Sequence, residues 1–139
     1  MSLFHIILVT KRREASILQK DASALYIHIL GAVKDKGKLY CINGTEDHIH
    51  LLFDLHSDYA LNDVVSSIHA ASSCWKKQYS NIFGFKGWEE KYIALPCPFE
   101  DKRAIIDYIK KQREYHQQEN TIDELKRIWA GRGLVEDAK

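Results

Sequence analysis

The stretch Lys38-Leu39-Tyr40-Cys41-Ile42-Asn43-Gly44-Thr45-Glu46-Asp47-His48-Ile49-His50-Leu51-Leu52-Phe53-Asp54-Leu55 decides the fold. It holds two runs of β-prone residues, 38–43 and about 48–55, with the turn chemistry of Asn43-Gly44 between them. Strands joined this closely form a hairpin. Upstream, Leu3 to Thr10 is rich in Ile, Leu, Val and Phe and reads as a buried strand ending at the basic turn Lys11-Arg12-Arg13. From Ser23 to Lys36, Leu25, Ile29 and Val33 mark one helical face, and Gly37 then stops the helix. Downstream, Leu61, Val64, Val65, Ile68, Ala71 and Trp75 recur at helical intervals over 61–79, and Ser80 to Trp88 is a loop.

Tyr92 to Cys97 is a short fourth strand, bounded by Pro96 and Pro98 because proline cannot sustain a ladder. A third helix is expected over Asp101 to Gln118 with Asp101 as N-cap. A terminal helix is expected over Thr121 to Trp129, where Thr121 and Glu124 have capping-box spacing. The order β-α-β-β-α-β-α specifies an α+β domain: a ferredoxin-like, four-stranded antiparallel sheet with helices on one face and a C-terminal helix added. The chain reads as one domain over residues 1–139, with a core at 3–118 and a helical extension at 119–139.

The longest apolar runs are far shorter than the roughly 20 residues of a membrane span, so no membrane partner is expected. The N-terminus enters a strand at once and lacks the features of a signal peptide, which points to the cytoplasm. Cys41, Cys74 and Cys97 are odd in number and form no C-x-x-C pair, as for small core residues in a reducing compartment. A formal net charge of +1 argues against a protein that coats nucleic acid by bulk electrostatics. Any such partner must be held locally, for instance by Lys11-Arg12-Arg13, Lys76-Lys77 or Lys110-Lys111-Arg113.

Two segments carry chemistry. On a strand, His48 and His50 point to one face while Ile49, Leu51, Phe53 and Leu55 point to the other, into a core. Two neutral imidazoles side by side form half a coordination shell for a divalent cation, although His-x-His also occurs as an idle surface pair. In the second segment, Tyr108 and Gln112 are four residues apart and share a helical face, which Tyr115 and His116 continue. A phenol with a pKa of about 10 is only ~0.1% ionised near neutral pH. As a nucleophile it needs an electrophile activated by a cation, whereas an amphipathic core residue needs no such help.

Together these segments resemble the single-tyrosine transposases of bacterial insertion sequences, the HUH type named for histidine, a hydrophobic residue and histidine. The resemblance runs from Phe4 to about Trp129. It rests on Phe4-His5-Ile6-Ile7-Leu8-Val9-Thr10-Lys11, on Asp47-His48-Ile49-His50-Leu51-Leu52, and on Ile68 to Trp75 with Ser72-Ser73. Trp88 with Tyr92, and Tyr108-Ile109-x-x-Gln112, complete it. It implies that His48, His50 and Gln112 bind Mg²⁺ or Mn²⁺. It also implies that Tyr108 attacks a scissile phosphate in single-stranded DNA, leaving a 5′-phosphotyrosine and a free 3′-hydroxyl. A homodimer that recognises hairpins near element ends is implied as well, with Lys11, Arg12, Arg13, Ser72, Ser73, Lys76 and Lys77 as DNA contacts.

The chain departs from the family pattern at His69, where lysine is usual. It departs again at Trp88-Glu89-Glu90-Lys91-Tyr92, where tryptophan-glutamine-x-glycine-tyrosine is usual, and at Pro96, which shortens the fourth strand. The competing readings are a non-catalytic module gripping hairpin or single-stranded nucleic acid, and a domesticated relative that processes dispersed repeats.

Overall fold

The computed structural model describes residues 2–79 and 84–112. The expected terminal helix, the stripe at Tyr115 and His116, Arg113 and the extension at 119–139 lie outside the described residues. Four strands, β1 (Ser2–Val9), β2 (Gly37–Gly44), β3 (His48–Leu55) and β4 (Ile93–Pro96), form one antiparallel sheet in the order β2-β3-β1-β4. With α1 (Gln19–Val33), α2 (Leu61–Gln78) and α3 (Lys102–Lys110), this is the expected ferredoxin-like α+β plan. Among the described residues no helix is long and apolar enough to cross a membrane.

One face of the sheet packs on α1 and α2. Ile6 and Leu8 of β1 and Ile49, Leu51 and Phe53 of β3 meet Leu25, Ile29 and Val33 of α1 and Val64, Ile68 and Trp75 of α2. Fully burying such side chains contributes about 1.5–3 kcal/mol each, so this layer is the main source of stability. The alternate residues of the same strands face the other way. There Leu3 and Leu52 pack with Ile105 and Ile109 of α3. Both faces are thus covered, which is why β1 reads as a continuous apolar run instead of an alternating one. A helix of nine residues is too short to persist alone. Its folding depends on docking Ile105 and Ile109 against the sheet.

Several local expectations change. The Asn43-Gly44 pair lies inside β2, and the hairpin tip is Thr45-Glu46-Asp47. Gly44 is paired so closely to β3 that a Cβ there would sit 2.1 Å from the His48 carbonyl oxygen. Gly37 opens β2 instead of closing α1, and an added Cβ would lie 2.1 Å from the Asp54 carbonyl oxygen. Helix α1 starts earlier than its apolar stripe indicated. Asp101 makes no side-chain cap bond; it ends a 3-10 turn, Phe99–Asp101, that leads into α3. The expected third helix is interrupted after Lys110, because Lys111 leaves helical geometry at φ −102°, ψ 20°; Gln112 is helical again, and 113–118 lie outside the described residues. In the 84–88 part of the expected loop, Phe85 and Trp88 are buried, and the Phe85 ring meets both Trp75 and Trp88 edge-on at 5.3 Å.

Candidate active site

Antiparallel register brings the chemistry together. Val9 faces His48, Ile7 faces His50 and His5 faces Leu52, so His5, Ile7, His48, His50 and Leu52 share the α3 side of the sheet. His48 and His50 have ring centroids 5.0 Å apart, and both are fully buried beneath α3. Tyr108 is half-buried, with its ring edge-on to His50 at 5.8 Å and to His5 at 6.4 Å. Gln112 is fully buried beyond the helix break, and its Oε1 lies 3.2 Å from His48 Nε2. The sequence spacing therefore placed Tyr108 and Gln112 on the correct side, even though the helix between them is interrupted.

Each imidazole is oriented through its other nitrogen. At the hairpin tip His48 Nδ1 lies 2.8 Å from Asp47 Oδ1 and 3.0 Å from Thr45 Oγ1. The Thr45 hydroxyl itself donates to Asp47 Oδ1 at 3.1 Å, so the proton on His48 belongs to Nδ1. His48 Nε2 is then a lone-pair acceptor aimed at the Gln112 amide oxygen, which is also an acceptor. A cation between these two atoms would relieve their opposition, as would a second proton on the imidazole or a flipped amide. Adjacent ligands of an octahedral ion at about 2.1 Å lie roughly 3 Å apart, so this pair fits two ligands of one small divalent cation. Among the described residues no group of three or more His, Cys, Asp or Glu side chains is arranged to hold a metal ion. A cation here would draw on His48, His50 and the amide of Gln112.

Two further groups hold this arrangement. His50 Nδ1 lies 2.8 Å from Nε2 of His5, which is itself buried. Asn43, across the ladder from His50, donates through Nδ2 to the carbonyls of Ile109 and Lys110, at 3.1 Å each. These carbonyls belong to the last turn of α3, where the helix's own ladder runs out. Neither His5 nor Asn43 was assigned a role from sequence. The signal for His5 was a polar residue alternating with Leu3 and Ile7 in a strand that is otherwise apolar.

The basic turn Lys11-Arg12-Arg13 follows β1 at the His48 end of the sheet, where Thr10 N–H donates to the Asp47 carbonyl at 2.9 Å. All three side chains are exposed. Arg12 and Arg13 adopt φ of 58° and 57°, left-handed geometry that costs of order 1–3 kcal/mol for a non-glycine residue. The turn is held by the Glu89 carboxylate, which accepts from Arg12 N–H at 2.6 Å, and by Lys11 N–H donating to the Gly87 carbonyl at 3.0 Å. His69 stands near this turn; burial, and secondarily the Lys11 ammonium, lower its pKa below 6.5.

Helix α2, with Ser73, Lys76 and Lys77, lies on the face of the sheet opposite the imidazoles. Ser72 is buried there. Its hydroxyl donates to the Ile68 carbonyl at 2.8 Å and accepts from Trp88 Nε1 at 2.9 Å. With both of these bonds made inside the fold, Ser72 has a packing role between α2 and Trp88.

The fold is similar to that of solved structures. A candidate transposase from Deinococcus radiodurans R1 matches with a TM-score of 0.59 at 20% identity, over 79% of this chain and 89% of that one. A REP-associated tyrosine transposase, solved bound to a REP hairpin, matches with a TM-score of 0.65 at 15% identity, over 99% of this chain and 84% of that one. No curated protein matches the chain. At these identities the structures speak for the fold. The family model for IS200-like transposases matches residues 2–112, which span the described strands and helices and the His48, His50, Tyr108 and Gln112 constellation. The chain belongs to the IS200-like transposase family.

Proposed function

We propose that this transposase cuts and rejoins single-stranded DNA through Tyr108, with Mg²⁺ or Mn²⁺ held by His48, His50 and Gln112. The observation that carries the reading is the convergence of two oriented imidazoles, an amide oxygen and a phenol at one buried point between β3 and α3. Tyr108 Oη would form a bond to the scissile phosphorus as the bond to the 3′-oxygen breaks. The phenolic proton is lost to solvent, and the leaving oxygen takes one up. The products are a 5′-phosphotyrosine and a 3′-hydroxyl. Because the ester keeps the phosphodiester's energy, a 3′-hydroxyl can reverse the step without ATP. A bound divalent cation would supply Lewis acidity at the phosphate oxygens, which a neutral phenol needs.

The donors are buried under α3, so a phosphate reaches them when the 108–112 segment shifts from the sheet. Lys11, Arg12 and Arg13, exposed at the same end of the sheet, are the leading candidates to guide the strand. Ser73, Lys76 and Lys77 on the other face would serve only DNA that wraps around that end. Hairpin recognition and a homodimer in the cytoplasm complete the proposal. It draws support from the family and from a neighbour solved on a hairpin.

The test is adduct formation. With Mn²⁺ and single-stranded oligonucleotides bearing a hairpin, the protein should yield a denaturation-resistant conjugate that chelator and Tyr108→Phe both abolish. Hairpin binding that ignores chelator and yields no conjugate would identify a non-catalytic module instead.

A further inference from the structure

We infer that His5 is a positioning residue for the metal site, setting the tautomer and the angle of His50. This rests on the metal reading above and extends it to a residue outside the expected ligand set. His5 belongs to β1, one pair along from the Ile7–His50 rung. Diagonal neighbours of this kind come within reach of each other when both side chains are rings. Here they meet: the ring centroids lie 5.0 Å apart with planes tilted by 35°, and the two nitrogens are 2.8 Å apart.

A neutral imidazole carries one N–H, and its other nitrogen is the only one that can bind a cation. If His50 donates from Nδ1 to His5 Nε2, its Nε2 presents the lone pair. If the proton lay on Nε2, the lone pair would point back into the sheet at His5. The contact therefore ties the available end of His50 to the tautomer of His5: with His5 Nε2 as the acceptor, His50 presents its Nε2 lone pair. The two sites differ in kind. His48 is oriented by oxygens at the hairpin tip, and His50 by a second imidazole inside the sheet, at 1% exposure, where water cannot replace it. Losing such an outer partner commonly costs 10–100-fold in metal affinity.

Two variants of similar volume separate hydrogen bonding from packing. His5→Gln keeps an acceptor that can reach His50 Nδ1. His5→Leu fills the space beside Leu3 and Leu52 without one. Mn²⁺ binding to DNA-free protein, followed by electron paramagnetic resonance, should weaken about 10-fold or more in His5→Leu and stay within about threefold of wild type in His5→Gln. Nitrogen-15 spectra of metal-free wild type should show His50 protonated at Nδ1, and this reading needs no variant to fold.

A His5→Leu protein that binds Mn²⁺ within twofold of wild type, or a His50 protonated at Nε2 in metal-free wild type, would overturn the assignment and leave the proposed function standing. Wild-type protein that binds no Mn²⁺ would overturn the metal reading, and this assignment with it.

Discussion

Replacing Asn43 should loosen the tyrosine helix without touching a proposed ligand. Asn43 Nδ2 donates to the carbonyls of Ile109 and Lys110, next to the break at Lys111. A net hydrogen bond contributes about 0.5–1.5 kcal/mol. Both carbonyls lie close enough to the surface for water to take over part of the role, so Asn43→Ala should cost about 1–2 kcal/mol in total. Asn43→Asp has almost the same shape but sets carboxylate oxygens against two carbonyl oxygens at the negative end of α3. That adds roughly 0.3–1 kcal/mol of repulsion to the lost bonds. The expected order of stability is therefore wild type, then Ala, then Asp, by urea denaturation. Faster hydrogen exchange should be confined to α3 and its contacts, because a short docked helix opens as a unit. An aspartate variant at least as stable as the alanine variant would refute the reasoning, since shape alone would then suffice.

Three other outcomes follow from the structure. Ser72→Ala should cost about 1–3 kcal/mol by leaving the Trp88 indole N–H without an acceptor and should leave DNA affinity of the folded protein unchanged; a selective loss of affinity would identify Ser72 as a contact. Gly44→Ala, whose Cβ would lie 2.1 Å from the His48 carbonyl oxygen, should distort the hairpin and lower the melting temperature sharply, with a cost at or above the roughly 1–3 kcal/mol of ordinary overpacking. Because burial and then Lys11 hold the His69 pKa below 6.5, the unfolded chain binds the proton more readily, so stability falls as pH drops through 6.5 toward the folded value. His69→Gln should therefore gain on wild type between about pH 7 and pH 5 in melts, and a stability difference that stays constant across that range would exclude the effect.

Read alone, the sequence determined what depends on neighbouring residues. Strand alternation put His48 and His50 on one face and Ile49, Leu51 and Phe53 on the other, and four-residue spacing put Tyr108 and Gln112 on one side of their segment. Only tertiary structure decided how those faces were covered. Helix α3 docks on the face opposite α1 and α2, because Ile105 and Ile109 find Leu3 and Leu52 there. No local spacing states which side of a sheet a helix will choose. The contact between His5 and His50 spans 45 residues and exists because β1 pairs with β3 in one register; a slip of one residue would turn the His5 ring to the other face. Ser72 shares a helix with exposed lysines, and only the fold brings Trp88 over it. The Asn43-Gly44 pair has the composition of a turn. The tip nevertheless forms at 45–47, since extending both strands places His48 beside Asp47 and Thr45 and lets Asn43 reach α3.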